Sequence, residues 1–165
     1  MKLNDVDPAQ VKEVFARFGL AMYDAQCLER QTAILVAACC NPEFLRKTPE
    51  ERDAILKAEM TKTLGALVRR LSEQVTIAPS LEHRIATALK TRNWLAHNYF
   101  WERAGQLLTP SGREVMLKEL TDVSNEMSGL DELLTEYATR WRKRAGVPDE
   151  VIEAELEKLR AEGSA

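Results

Sequence analysis

Apolar residues recur along this chain at spacings of three and four, which is the period of an amphipathic helix. The pattern predicts four helices, over about 8–40, 49–75, 80–100 and 110–144. Each of the six prolines is either the first residue of one of these segments or lies outside them, as expected where a helix begins at a proline or ends just before one. No stretch of useful length alternates apolar and polar residues as a strand does. The sequence therefore predicts an all-α fold.

Two helix starts carry local capping signals. Asp7 stands three residues before Gln10, and Thr48 stands three residues before Glu51. A short polar side chain at the position before a helix accepts a hydrogen bond from the first turn, and an acidic or amide side chain three residues on can return one. We therefore expect helices to begin at both places.

The fourth segment has the most regular pattern, with apolar spacings that alternate between four and three, as in a coiled-coil heptad. Its apolar positions are Met116, Leu120, Val123, Met127, Leu130, Leu134, Tyr137 and Trp141. Such a seam predicts close, nearly antiparallel packing along the first helix and so an antiparallel bundle of four long helices. We assign the bundle to residues 1–147, and the charged segment 148–165 to a short C-terminal helix or tail.

The charge balance limits the partners. The chain has 165 residues, with 23 Lys and Arg against 26 Asp and Glu, for a formal charge of −3. This balance argues against a protein that coats nucleic acid through a broad basic surface, and no DNA binding is expected. RNA binding would need positive potential concentrated at one place.

The cysteines and the apolar runs indicate a compartment. Cys27, Cys39 and Cys40 are an odd number without paired C-x-x-C spacing, so neither a disulfide framework nor a zinc site is expected. The longest apolar run, 33–40, is far shorter than the roughly 20 residues that span a bilayer. We expect a cytoplasmic protein with no membrane segment, no metal and no cofactor.

One segment, 90–101, concentrates polar chemistry at the end of the third helix and holds four of the ten aromatic residues. Asn93 and His97 are four residues apart and share a helix face, whereas Arg92 and His97 lie about 140° apart. An imidazole can take the proton of an RNA 2′-hydroxyl at neutral pH, and a guanidinium can hold phosphate oxygens as negative charge builds up. Arg92 and His97 are therefore a sensible pair for RNA cleavage without a metal.

Structural roles for the same residues stay open. Arg92 can pair with a carboxylate, and His97 can cap carbonyls at the helix end. Glu29, together with Gln26, lies in the middle of the first helix and can face the motif. The aromatic residues Trp94, Phe100 and Trp101 suit a core or a dimer interface, or alternatively a platform for base stacking.

Arg92, Asn93, His97 and Tyr99 form an Arg-x4-His-x-Tyr motif, with a polar residue after the arginine, that resembles the HEPN superfamily. The resemblance implies a helical bundle that dimerises and brings two copies of the motif into one cleft. Many members of that superfamily are metal-independent endoribonucleases, often toxins of toxin–antitoxin or phage-defence systems. In members with the tyrosine, a nucleotidyltransferase antitoxin adenylylates it.

Carried over to this chain, the resemblance implies that Arg92 stabilises the phosphate and that His97 is the general base or acid. It implies that Asn93 orients or binds the substrate and that Tyr99 adjoins the site and is a target for modification. The expected function is cleavage of RNA by a cytoplasmic homodimer. The alternative is a non-catalytic HEPN-like dimer that binds a protein or a nucleotide, since the superfamily includes inactive members and both the acidic charge and the heptad seam suit association.

Overall fold

The computed structural model describes residues 7–41, 43–74, 78–144 and 146, and within these ranges every regular element is helical. The all-α prediction is confirmed. The helices are α1 Pro8–Cys39, α2 Pro49–Met60, α3 Leu64–Gln74, α4 Pro79–His97, α5 Tyr99–Glu102, α6 Ala104–Leu107 and α7 Pro110–Arg144, with a 3₁₀ turn at Phe44–Arg46. The helix or tail expected at 148–165 lies outside the described residues.

The capping signals form as local chemistry requires. Asp7 caps α1 through its carboxylate, which accepts a hydrogen bond from the first turn. Thr48 and Glu51 complete the capping box of α2, since the backbone N–H of each donates to the side chain of the other. Gln10 does not close a box with Asp7. Its carboxamide oxygen instead accepts from Arg113 Nε of α7 at 2.8 Å.

The prediction of one helix over 49–75 is wrong, because residues 61–63 are not helical and separate α2 from α3. The Thr61 hydroxyl donates to the Ala58 carbonyl at 2.8 Å, and the Thr63 hydroxyl accepts from the Ala66 N–H at 3.3 Å. Threonine side chains that bond nearby backbone compete with the helical ladder. The apolar period continues across the break, so the hydrophobic pattern does not reveal it.

The nearly antiparallel pairing predicted for the first and last long helices is also wrong, because α1 and α7 run parallel. Near their starts Gln10 bonds Arg113, and further along both helices Ser124 donates to the Asp24 carboxylate. By contrast, α4 runs antiparallel to α7. Arg84 near the start of α4 pairs with Glu126 at 2.9 Å, whereas the C-terminal end of α4 lies beside the start of α7.

The break at 61–63 explains the reversed direction. The chain returns along α1 in α2, whose last residue, Met60, lies in a groove with Glu29. It then turns again, so that the Arg70 carbonyl of α3 lies 3.8 Å from Cys40 Sγ at the far end of α1. One additional reversal makes five passes instead of four, and the first and last of an odd number of alternating passes point the same way.

Two buried clusters make the core, one on each half of α1. The first joins the C-terminal half of α1 to α3, the start of α4 and the end of α7, and the second joins the N-terminal half of α1 to the end of α4, α5 and the start of α7. The heptad positions of α7 line both clusters. Five of them are at most 1% exposed, namely Met116, Leu120, Met127, Leu130 and Leu134. The seam is therefore buried within the chain, mainly against α1.

A buried carboxylate stabilises the turn between α2 and α3. Glu59 is 4% exposed and accepts hydrogen bonds from Lys62 Nζ at 2.7 Å and from Arg70 Nη1. Burial opposes ionisation of this carboxyl, but the hydrogen bonds from Lys62 and Arg70 outweigh burial and lower its pKa. Glu59 thus ties the end of α2 to α3 as an anion.

We expect Glu59→Gln to lower the free energy of unfolding by about 1–2 kcal/mol at pH 7, since it removes a charged acceptor from two cations. Because the pKa is lower in the folded state, this stabilisation is present above the unfolded carboxyl pKa and disappears as the pH falls through the folded value. Urea unfolding at pH 7 and at pH 3 measures the difference. Asp53→Asn, at an exposed pair with Lys57 on the same helix, is the control and should change stability little. An equal loss at both pH values would contradict the assignment.

Candidate functional site

The candidate motif lies where α4 ends and the chain kinks. Arg92, Asn93 and His97 occupy the last two turns of α4, and Tyr99 begins α5. Asn98, which lies between His97 and Tyr99, has φ −127° and ψ −20°, outside the helical region. Its N–H still donates to the Trp94 carbonyl at 2.8 Å. This kink changes the direction of the side chains that follow His97.

Arg92 is half-buried and faces α1. Its Nη2 donates to Glu29 Oε2 at 3.2 Å, and its Nη1 donates to Asn93 Oδ1 at 3.3 Å. The prediction that Glu29 faces the motif is confirmed, and pairing with a carboxylate, the structural role considered for Arg92, is observed. The guanidinium has five N–H donors, of which these contacts use two, so donors remain for a further anion.

Asn93 and His97 lie on the outer face of α4, one turn apart, and both are exposed. The His97 imidazole makes no hydrogen bond or ion pair with any residue in the part of the chain that the structure describes. It does not cap the carbonyls at the end of α4. Both ring nitrogens therefore face solvent, where a substrate proton can reach them.

Tyr99 is separated from these three residues by its burial, since it is 1% exposed. Its ring contacts those of Phe18, Trp94 and Phe100, with centroids 4.9–5.8 Å apart, and its hydroxyl donates to the Met116 carbonyl at 3.4 Å. Burial raises the pKa of the Tyr99 phenol, with a further contribution from Glu119. In this conformation the hydroxyl belongs to the core and is closed to a modifying group.

We expect Tyr99→Phe to cost about 0.5–1.5 kcal/mol of stability, the value of one hydrogen bond, because the ring packing is kept. The raised folded pKa means that the tyrosine stabilises fully below its unfolded pKa near 10 and loses that contribution as the pH rises further. Denaturant unfolding at pH 8 and pH 11 should therefore show a smaller alkaline loss for Tyr99→Phe than for the unchanged chain. Equal losses would place the Tyr99 hydroxyl in solvent.

Sequence reasoning missed the contacts that hold α5 in place. Arg103 Nε and Nη2 donate to both carboxylate oxygens of Glu119 on α7, at 2.9 and 2.7 Å, and the guanidinium lies 5.0 Å from the centroid of the Trp94 ring. Trp94 Nε1 donates to Glu102 at 2.8 Å. No local pattern marks these pairs, since Arg103 and Glu119 meet only after the chain has turned into α7.

Of the aromatic residues in the motif segment, Trp94 and Phe100 pack against the core, but Trp101 does not. Trp101 is 86% exposed, and its ring meets no other aromatic ring among the described residues. The core role considered for this cluster therefore holds for two of its three members.

Charge around the motif differs from that of the rest of the chain. Residues 83–101 contain neither Asp nor Glu, although the chain has 26 of them, and they include Lys90 and both histidines. Lys90 and His83 are exposed on the same face of α4 as His97. Lys90 thus places a positive charge on this face, and the absence of acidic residues from 83 to 101 is visible in the sequence itself. Carboxylates that contact the segment come from outside it, among them those of Glu29, Glu102 and Glu126.

A shallow groove opens beside the ion pair of Arg92 and Glu29, between α1 and the start of α3. It is lined by Gln26, Glu29, Arg30, Ala33, Met60, Lys62 and Leu67. Gln26 lines this groove beside Glu29 and makes no hydrogen bond to Arg92 among the described residues, so the prediction that Gln26 faces the motif stays a prediction.

In a single chain, Arg92 faces α1 and His97 faces solvent, so the structure keeps the two apart by the rotation that their spacing implies. Among the described residues, no group of three or more His, Cys, Asp or Glu side chains gathers as metal ligands do, and no helix has the length and apolarity to cross a bilayer. Comparison with known proteins finds no matching family model, no matching curated protein and no matching solved structure.

Proposed function

We propose that this chain is a HEPN-like, metal-independent endoribonuclease that acts as a homodimer in the cytoplasm. The observation that supports it most is the solvent-exposed His97, with Asn93 one turn away and the Arg92 guanidinium hydrogen-bonded to the Asn93 carboxamide. Pairing two copies through α4 would place two such faces in one cleft. The acid-free segment 83–101 would then supply positive potential from both copies.

The chemistry needs only these side chains. One His97 takes the proton of the 2′-hydroxyl, whose oxygen attacks the adjacent phosphorus, and the other His97 protonates the departing 5′-oxygen. Arg92 stabilises the negative charge that builds on the phosphate oxygens, through the N–H donors that Glu29 and Asn93 leave unused. The products are a 2′,3′-cyclic phosphate and a 5′-hydroxyl.

The experiment is incubation of single-stranded RNA with the protein in EDTA, followed by identification of the new ends. We expect cyclic phosphates, and no cleavage where the nucleotide 5′ to the scissile bond lacks its 2′-hydroxyl. Cleavage that needs a divalent metal, or that leaves a 3′-hydroxyl, would overturn the mechanism.

A non-catalytic dimer that binds a protein or nucleotide is the second candidate. The ion pair of Arg92 with Glu29 favours this candidate, because the Glu29 carboxylate already neutralises the guanidinium that would bind the phosphate. The heptad seam no longer favours it, because α7 uses that seam within the chain. A dimer that binds RNA or nucleotide and leaves it intact would select this candidate.

A toxin role, with a nucleotidyltransferase antitoxin as partner, also belongs to this proposal. Its modification step requires a Tyr99 hydroxyl that solvent can reach, whereas the hydroxyl is bonded to the Met116 carbonyl inside the core. Adenylylation would therefore have to displace α5 from the start of α7. Mass spectrometry after incubation with such an enzyme and ATP would show whether Tyr99 gains an adenylyl group.

A further inference from the structure

Trp101 is a large apolar side chain that the fold leaves exposed to solvent. Its neighbours Trp94 and Phe100 pack in the core, whereas Trp101 is 86% exposed and its indole N–H has no acceptor among the described residues. Tryptophan is among the residues that gain most from burial, so a ring this exposed can gain from contact with a partner.

The position of Trp101 relates it to the candidate site. It stands four residues after His97, so their backbones are at most about 14 Å apart whatever the kink at Asn98 does. Arg103 and Glu119 hold the short helix that carries it against α7, so Trp101 is presented by an anchored element.

The charge of the surroundings indicates the kind of partner. No acidic residue occurs from 83 to 101, and the exposed Lys90 has no acidic partner among the described residues. The next residue after Trp101 is the exposed Glu102, whose carboxylate accepts from Trp94 Nε1. Positive charge interleaved with an exposed aromatic ring is the combination that binds single-stranded nucleic acid, because phosphates meet the cations and bases stack on the ring.

We propose that Trp101 is a base-stacking platform that holds an unpaired RNA nucleotide beside the phosphate at His97. This inference rests on the proposed function and specifies its substrate as single-stranded RNA. A base in a duplex is already stacked on both faces, so the platform discriminates against duplex RNA. Every base has a π-face that can stack, so we expect the platform to select single-stranded over duplex RNA without selecting a particular base sequence.

The test uses a fluorescein-labelled, fully 2′-O-methylated single-stranded RNA, which cannot be cleaved by 2′-hydroxyl attack. We expect Trp101→Ala to weaken its binding by about five- to a hundredfold, and Trp101→Phe to keep affinity within a few fold. Binding should quench tryptophan emission in the unchanged protein and much less in Trp101→Phe. Tyr23→Ala removes another exposed aromatic, on α1, and should leave affinity unchanged.

A matched pair of lysines tests the electrostatic part. Lys90→Ala should weaken binding and reduce the salt dependence of log K by about one phosphate contact. Lys143→Ala, at the far end of α7, should do neither.

Three results would overturn the inference. The first is equal affinity of Trp101→Ala and the unchanged protein for the RNA, and the second is equal affinity of the protein for duplex and single-stranded RNA. The third is conversion of a dimer to a monomer by Trp101→Ala in sedimentation, which would make Trp101 an interface residue. Because the probe cannot be cleaved, a protein without nuclease activity whose binding still depends on Trp101 would refute the proposed reaction and support the platform. A protein that cleaves RNA but binds the probe equally well with and without Trp101 would support the proposed reaction and refute the platform.

Discussion

His97→Ala is expected to lower the rate of RNA cleavage by about a hundred- to ten-thousandfold, which is the usual contribution of a positioned general acid or base. The fold should not change, because the imidazole is exposed and bonds no described residue. We expect the free energy of unfolding to stay within about 0.5 kcal/mol of that of the unchanged chain. The measurement is single-turnover cleavage in EDTA, beside a denaturant titration of both proteins.

The chain offers its own control for this substitution. His83 is the other histidine, and it is exposed on the same face of α4 near the opposite end of the helix. His83→Ala should cleave RNA at the unchanged rate. If both variants cleave as fast as the unchanged protein, the activity belongs to a contaminant and the nuclease proposal fails.

Leu130→Asp is expected to have the largest effect on stability. Leu130 is 0% exposed and lies in the cluster that joins α7 to the C-terminal half of α1. The substitution removes a buried side chain and places a carboxylate among the apolar side chains of that cluster, at a combined cost above about 5 kcal/mol. Because small domains are stable by about 5–15 kcal/mol, we expect a largely unfolded chain at 25 °C.

Circular dichroism and thermal unfolding measure this loss, and Thr135→Asp provides the control. Thr135 lies on the same helix at an exposed position, so an added carboxylate there should change stability by no more than about 0.5 kcal/mol. Normal folding and melting of Leu130→Asp would show that α7 does not bury its seam against α1. The parallel pairing of these helices would then be wrong.

Most of the helical structure could be predicted because its signals are local. The start of α1 after Asp7 and that of α2 after Thr48 follow from side chains that bond the first turn, and the apolar period extends each helix from there. The break at 61–63 could not be predicted this way. Two threonine hydroxyls bond the backbone on either side of it, and the apolar spacing is not interrupted there.

For the candidate site, the sequence supplies the residue types and the relative rotation of Arg92 and His97, but not which rings are buried. The spacing of Arg92 and His97 implies that they point apart, and the structure keeps them apart. The burial of Tyr99 and the exposure of Trp101 have no counterpart in the pattern, since the kink at Asn98 and the contact of Arg103 with Glu119 decide which ring turns inward.

The sequence by itself determined the all-α class, the starts of α1 and α2 and the residue types gathered at the end of α4, because these depend on neighbours within a few residues. Only the tertiary structure decided that α1 and α7 run parallel, that Glu29 holds Arg92 and that Trp101 stays in water. These features join residues distant along the chain. One local break reverses the direction of every later helix, and an ion pair between α1 and α4 forms only after those helices have packed.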